Sequence, residues 1–194
     1  MSSFKVFRNK RLQTQFQKEG YVLLTGVLND SLNELRKFYD ANLPPPVEGG
    51  FHSTHFFKDR TYKRSVHETI KSLFWPKLAN FFSDYDLIFA NFMVKEARPD
   101  SVMPLHADWT YVDENKYTSL GIWAPLVDTN EENGMLGVIP FSHQLKKSLR
   151  GPKIPSPINE FNEYVIEVYG KLLKLNAGDA VVYNHKLFHY SPPN

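Results

Sequence analysis

A chain of 194 residues with 42% apolar and 14% aromatic side chains is long enough for one domain with a sizeable buried core. Its 23 basic and 21 acidic residues leave a net charge of +2, which provides no electrostatic footprint for nucleic acid. Cysteine is absent, which excludes disulfides, thiolate metal sites and cysteine nucleophiles.

Residues 1–16 are rich in Lys, Arg and Gln and lack the apolar run of a signal peptide. No stretch has the length of a membrane span, so the expectation is a cytoplasmic protein with neither a membrane nor a nucleic-acid partner. The one local basic run, Lys146, Lys147, Arg150 and Lys153, reads as a solvated face in preference to a patch for an anionic substrate.

In chain order, the spacing predicts a short helix over 10–19 that stops at Gly20, then an apolar strand over 21–25. Asn29 or Asp30 is placed to cap a second helix, whose apolar positions Leu28, Leu32, Leu35 and Tyr39 recur at near-helical spacing. Pro44-Pro45-Pro46 cannot continue it, so it ends by Leu43. Residues 44–60 hold that proline run, Gly49-Gly50 and the stretch Phe51-His52-Ser53-Thr54-His55-Phe56-Phe57, and read as a long ordered loop of the lid or binding type. Val66, Ile70, Leu73 and Phe74 mark a third helix, and Pro76 is expected to open a further helical turn through Phe82.

The pattern then changes to strands, expected over 87–94, 105–109, 118–126, 135–139, 164–168, 171–175 and 180–183. Turn signals such as Glu132-Asn133-Gly134 and Ala177-Gly178-Asp179 separate them. The expectation is a single domain over 1–194: a helical N-terminal layer, about 1–83, buttressing a mainly-β sandwich or jelly roll, about 87–194.

The chemistry is concentrated in His106-Ala107-Asp108. Two histidines and a carboxylate make a facial triad for Fe(II), and residues i and i+2 of a strand point to one side. His189, in the run His189-Tyr190-Ser191-Pro192-Pro193-Asn194, would be the second histidine; His185 stands four residues earlier as a competitor. A pattern as short as H-x-D is supplied by chance in about one such chain in three. On the residues alone, an iron triad and a surface H-x-D beside a core histidine both stand. His52 and His55 could form a second metal pair but fit a substrate-facing or structural role better, and His143 fits a hydrogen-bonded structural histidine. Phe51, Phe56, Phe57, Trp75 and Trp109 are candidates for a substrate cavity, with a core or lid role at least as good a fit.

Several segments appear in one order: Phe16-Gln17-Lys18-Glu19-Gly20-Tyr21-Val22, Gly26-Val27-Leu28, Pro104-Leu105-His106-Ala107-Asp108, Trp123-Ala124-Pro125-Leu126, Glu132-Asn133-Gly134-Met135-Leu136, Val138-Ile139-Pro140-Phe141-Ser142-His143, Gly178-Asp179 and the His189 block. In this order and spacing the chain resembles the phytanoyl-CoA dioxygenase family of Fe(II)/2-oxoglutarate oxygenases over nearly its whole length. The resemblance implies a double-stranded β-helix of the cupin type, with Fe(II) as cofactor, 2-oxoglutarate and O2 as co-substrates, and hydroxylation of a small molecule with release of succinate and CO2. It implies His106, Asp108 and His189 as metal ligands, His189 being favoured over His185 by its match to H-x-S-x-x-N. It also implies Met93, Trp123 and Ser191 around 2-oxoglutarate, with no catalytic side chain beyond the ligands. Retention of Asp108 separates the chain from related halogenases, which carry a small residue there.

Two departures are visible: Ala107 stands where Gln is frequent, and Phe141 where Gly is common. The family's arginine for the distal carboxylate of 2-oxoglutarate lies about ten residues beyond the distal histidine. The expectation is therefore a sequence that stops short of the native C-terminus, with the last strand and that arginine beyond Asn194. The alternatives are a catalytically silent jelly-roll binder and a cupin-like metalloenzyme that does not use 2-oxoglutarate.

Overall fold

A computed structural model describes residues 4–43, 49–145 and 149–194. The helical layer comes first. Helix α1 (Lys10–Glu19) starts where the Asn9 side chain accepts the free N–H groups of Arg11 and Leu12, and it ends at Gly20, whose N–H bonds to the Phe16 carbonyl. Strand β1 (Tyr21–Leu24) leads to α2 (Asn29–Ala41). Neither Asn29 nor Asp30 caps α2; the cap position falls to Leu28, without a side-chain hydrogen bond. Leu28 is fully buried and its N–H bonds to the Gly178 carbonyl, so packing and a neighbouring turn fix the start.

The proline run lies outside the described residues. The aromatic stretch after it is not all loop: Phe51–Ser53 forms β2, which pairs with β3 (Met93–Lys95), and one tight helical turn spans Thr54–Phe56. Helix α3 (Arg60–Leu78) runs straight through Pro76, which opens no new helix. Phe74 and Leu78, one turn apart, are both buried on its core face, and that packing carries the helix past the hydrogen bond Pro76 cannot make.

The remaining strands are β4 (Met103–His106), β5 (Leu120–Trp123), β6 (Leu136–Val138), β7 (Lys171–Leu173), β8 (Ala180–Asn184) and β9 (His189–Ser191). Most are shorter than their apolar runs. Residues 87–92 join no ladder, because the Ala90 N–H goes to His67 Nδ1 and the Phe92 N–H to Thr54 Oγ1. Residues 164–168 are not a strand but part of α4 (Asn162–Tyr169). Their β-branched and aromatic composition favours a strand, yet a helix lets Val165 and Ile166 pack together onto Leu105, Ile139, Phe188 and Tyr190.

All pairings are antiparallel, in the orders β1-β8-β5, β2-β3 and β4-β9-β6-β7. The two larger sheets face each other as a double-stranded β-helix, and strand alternation sorts their side chains. Tyr21, Val181 and Trp123 from one sheet meet Leu136, Val138 and Leu173 from the other between the layers. The opposite face of the first sheet, with Val22, Ala180 and Val182, buries against Phe16, Leu35, Val66, Ile70 and Phe74 of the helices. Helix α4 closes the outer face of the second sheet.

Phe141 explains one departure from the family pattern. It sits at φ 68°, in the left-handed region, and is 50% exposed. A side chain there costs about 1–2 kcal/mol, and little burial offsets it. Phe141→Gly is expected to raise unfolding free energy by about 0.5–1 kcal/mol, after allowing for the chain entropy of glycine. Urea denaturation midpoints of the two proteins measure this, and an unchanged or lower midpoint refutes the strain argument.

Candidate metal centre

The centre is built where β4 meets β9. His106 and His189 are direct cross-strand partners, with ring centroids 4.3 Å apart. Each ring is oriented by the backbone just before it: His106 Nδ1 lies 2.7 Å from the Pro104 carbonyl and His189 Nδ1 lies 3.0 Å from the Leu187 carbonyl. A carbonyl can only accept, so both Nδ1 atoms carry the proton and both Nε2 atoms offer lone pairs.

Asp108 lies two residues beyond the end of β4, yet it keeps the strand's alternation. Ala107 turns to the outer cluster of Leu105, Ile139, Phe188 and Tyr190, where a longer polar side chain would have to enter an apolar layer. Arg150 holds this segment in place of a ladder. Its Nε donates to the Asp108 carbonyl at 2.7 Å, its backbone exchanges bonds with Thr110, and its guanidinium forks onto Glu114 at 2.5 and 3.3 Å. Arg150 is therefore not part of a solvated basic face. Lys153 is exposed, and Lys146 and Lys147 lie outside the described residues.

Donor atoms of His106, Asp108 and His189 all lie within 4.8 Å of one another, and no other group of three or more His, Asp or Glu among the described residues gathers in this way. Two neutral imidazoles and a carboxylate on one side of a shared point fit a divalent transition metal of the Fe(II) type. His185 approaches the same carboxylate, its Nε2 3.7 Å from Asp108 Oδ2, while His189 Nε2 is 3.9 Å from Oδ1. His189 faces His106, whereas His185 lies against Asp108 and the rings of Tyr111 and Tyr183. Burial favours the neutral form of His106 and of His185. It lowers the pKa of His106 to about 4, helped by the neighbouring His189 and opposed by the Pro104 carbonyl and Asp108, and it lowers that of His185.

Tyr183, which the sequence did not single out, completes the wall. Its ring is 4.7 Å from that of His189, and burial, the Asp108 charge and a hydrogen bond to that carboxylate hold the phenol proton on well above the usual pKa. It lies opposite Gly121, where an added Cβ would come within 2.3 Å of the ring. The inward alternation of β8 and a glycine at the facing position were the available signals.

The other candidates separate. Ser191, two residues after His189 on the same face of β9, donates to the Gly134 carbonyl at 2.7 Å and accepts from Lys95 Nζ at 2.7 Å. Met93 ends on β3, half exposed; Trp123 packs between the sheets. His143 is structural, with Nε2 bonded to the Gln17 carbonyl at 3.1 Å. His52 stacks on Phe57, and His55 on Phe89 and Phe56. Trp75 stacks on Phe82 in the helical core, whereas Phe56 adjoins Trp109, and Trp109 adjoins Tyr111, which reaches His185.

A jelly roll enclosing a two-histidine, one-carboxylate cluster defines a cupin-type metal-binding fold. Residues 16–194 match the family model for phytanoyl-CoA dioxygenase (PhyH), and the chain belongs to that family. No curated protein matches it. Solved structures sharing the fold include the non-heme alpha ketoglutarate dependent epimerase SnoN from nogalamycin biosynthesis, with 21% identity over 95% of this chain and 76% of that one at a TM-score of 0.63. The carbocyclase SnoK from the same biosynthesis aligns at 18% identity, 96% and 78% coverage and a TM-score of 0.65. HygX from Streptomyces hygroscopicus, with nickel, 2-oxoglutarate and hygromycin B bound, aligns at 14% identity, 96% and 82% coverage and a TM-score of 0.60. No helix among the described residues is long and apolar enough to cross a membrane.

Two outcomes are expected for the metal-free protein. His106 holds its neutral form down to about pH 4 when folded but only to about 6.5 when unfolded, so its contribution is intact above pH 6.5 and is lost as pH falls towards 4. The stability difference between wild type and His106→Gln, measured by urea unfolding, should therefore change across that window and be flat above it. Arg150→Ala removes the fork from Glu114, a pair only 12% exposed on each side. It should cost on the order of 3 kcal/mol and loosen the Asp108 segment. A calorimetric nickel titration should show weaker binding in that variant, and unchanged affinity would dissociate Arg150 from the centre.

Proposed function

We propose that the chain is an Fe(II)/2-oxoglutarate-dependent oxygenase that hydroxylates a small organic substrate. The observation that carries this reading is the convergence of His106, Asp108 and His189 in a family member, with both imidazoles already in the tautomer a metal needs. These three would hold Fe(II) through the two Nε2 atoms and the Asp108 carboxylate, leaving one side of the ion free. Iron and 2-oxoglutarate together supply the oxidation, consuming O2 and releasing succinate and CO2.

The chain's own residues do the rest. Met93, Trp123 and Ser191 are assigned to the co-substrate, and the position of Ser191 on the His189 face of β9 supports that assignment. Tyr183 and the inter-sheet core keep water from the inner side. On the outer side Tyr111, Phe89, His55, Phe56 and Trp109 touch ring to ring and lead to His185. They offer a substrate flat apolar contact more than hydrogen bonds.

SnoN and SnoK are described as an epimerase and a carbocyclase, so this fold and cofactor pair serve more than one product. Asp108 fills the carboxylate position and so weighs against halogenation; hydroxylation over epimerisation or ring closure is our assignment, to be read from the product. The test is anaerobic loading with Fe(II) and 2-oxoglutarate, admission of O2 with a panel of small aromatic and polyketide-like compounds, and detection of succinate by NMR. Wild type and His185→Ala are expected to form succinate, with His106→Ala and His189→Ala at least about a hundredfold slower. Wild type that binds metal but forms no succinate with any compound refutes the oxygenase reading.

A further inference from the structure

We infer that Lys95, positioned by Ser191, holds the distal carboxylate of 2-oxoglutarate; the inference rests on the oxygenase reading and assigns that site its cation. His189 and Ser191 are residues i and i+2 of β9, on one face and about 7 Å apart along the strand. That is the reach of an extended five-carbon diacid whose 2-oxo end lies at the metal. At the Ser191 end, Lys95 Nζ donates to Ser191 Oγ at 2.7 Å and to the Pro192 carbonyl. An ammonium has three hydrogens, so one remains for an incoming acceptor.

Two features mark the place as built for an anion. Lys95 is half-buried yet makes no ion pair among the described residues, and burial lowers its pKa to about 8. A cation held this way is under-solvated, and a carboxylate would offset that cost. The backbone also leaves room for the amine: a Cβ at Gly134 would come within 2.5 Å of Nζ. Met93, two residues before Lys95 on β3, projects to the same face.

The experiment compares two ligands that differ only at the distal end, 2-oxoglutarate and 2-oxopentanoate, by calorimetry on the nickel-loaded full-length chain. A charge-assisted hydrogen bond of about 1.5–3 kcal/mol predicts that wild type prefers the diacid by roughly tenfold to a hundredfold. Lys95→Met should lose most of that preference while binding 2-oxopentanoate as wild type does, and Lys95→Arg should keep it. Thermal melts of the ligand-free variants report folding separately. Equal weakening of both acids in Lys95→Met would mean that the lysine only packs, and overturns the inference. So does an unchanged preference, which places the carboxylate on another cation. Wild type that binds nickel but neither acid overturns the co-substrate reading and this inference together; failure in Lys95→Met alone leaves that reading standing.

Discussion

Everything at the centre depends on the register of β9, the strand between β4 and β6. Its odd members, His189 and Ser191, face the space between the sheets; Phe188 and Tyr190 face outward under α4. A slip of one residue would exchange these sets and take His189 out of the cluster with His106 and Asp108. A tyrosine over a glycine resists such a slip in β9, and a second such pair fixes β8 against β5. Tyr190 lies on Gly137 on the outer face and Tyr183 on Gly121 on the inner face, and in each case a Cβ on the glycine would collide with the ring. These are paired fittings across adjacent strands. Through Tyr190 the outer layer, remote from any chemistry, helps to keep His189 pointing inward.

Electrostatics stem from the same enclosure. The site holds one carboxylate, Asp108, among rings that burial keeps neutral. A protein that needed to remove protons from its histidines before taking a metal would bind it weakly near neutral pH. Here the backbone carbonyls of Pro104 and Leu187 have fixed the tautomers, and at His106 low solvation has removed the competing proton. Asp108 is in turn held through its own main chain by Arg150. The charge that attracts a cation and the charge that positions the carboxylate therefore belong to different elements.

The triad was legible because its signal is local: His106 and Asp108 are two residues apart, and the strand period that relates them survives even where the ladder stops. The choice of His189 over His185 needed more than spacing, since both reach Asp108 and only cross-strand pairing with His106 separates them. Lys95, Tyr183 and Arg150 left no such trace. Lys95 acts on Ser191, and both Tyr183 and Arg150 act on Asp108, through long-range contacts that no window of sequence contains. Residues 164–168 and Pro76 misled for a related reason, because tertiary burial of Val165, Ile166, Phe74 and Leu78 overrode local propensity.

The two flanks of His189 are chemically unlike, and this divides the labour of recognition. Towards Ser191 the site offers fixed polar groups, a hydroxyl and a half-buried amine at hydrogen-bond distance from each other. Such a place selects by charge and length, and it would be the same whatever compound is oxidised. Towards His185 it offers rings, with Phe56, Phe89 and Tyr111 exposed to solvent. Stacking discriminates shape and flatness but is tolerant of substitution pattern. On the proposed oxygenase reading the substrate would be read by Phe56, Phe89, Trp109 and Tyr111, which lie outside every strand and outside the metal motif. That is why the ordered motifs speak to the cofactor chemistry and are silent about the molecule it acts on.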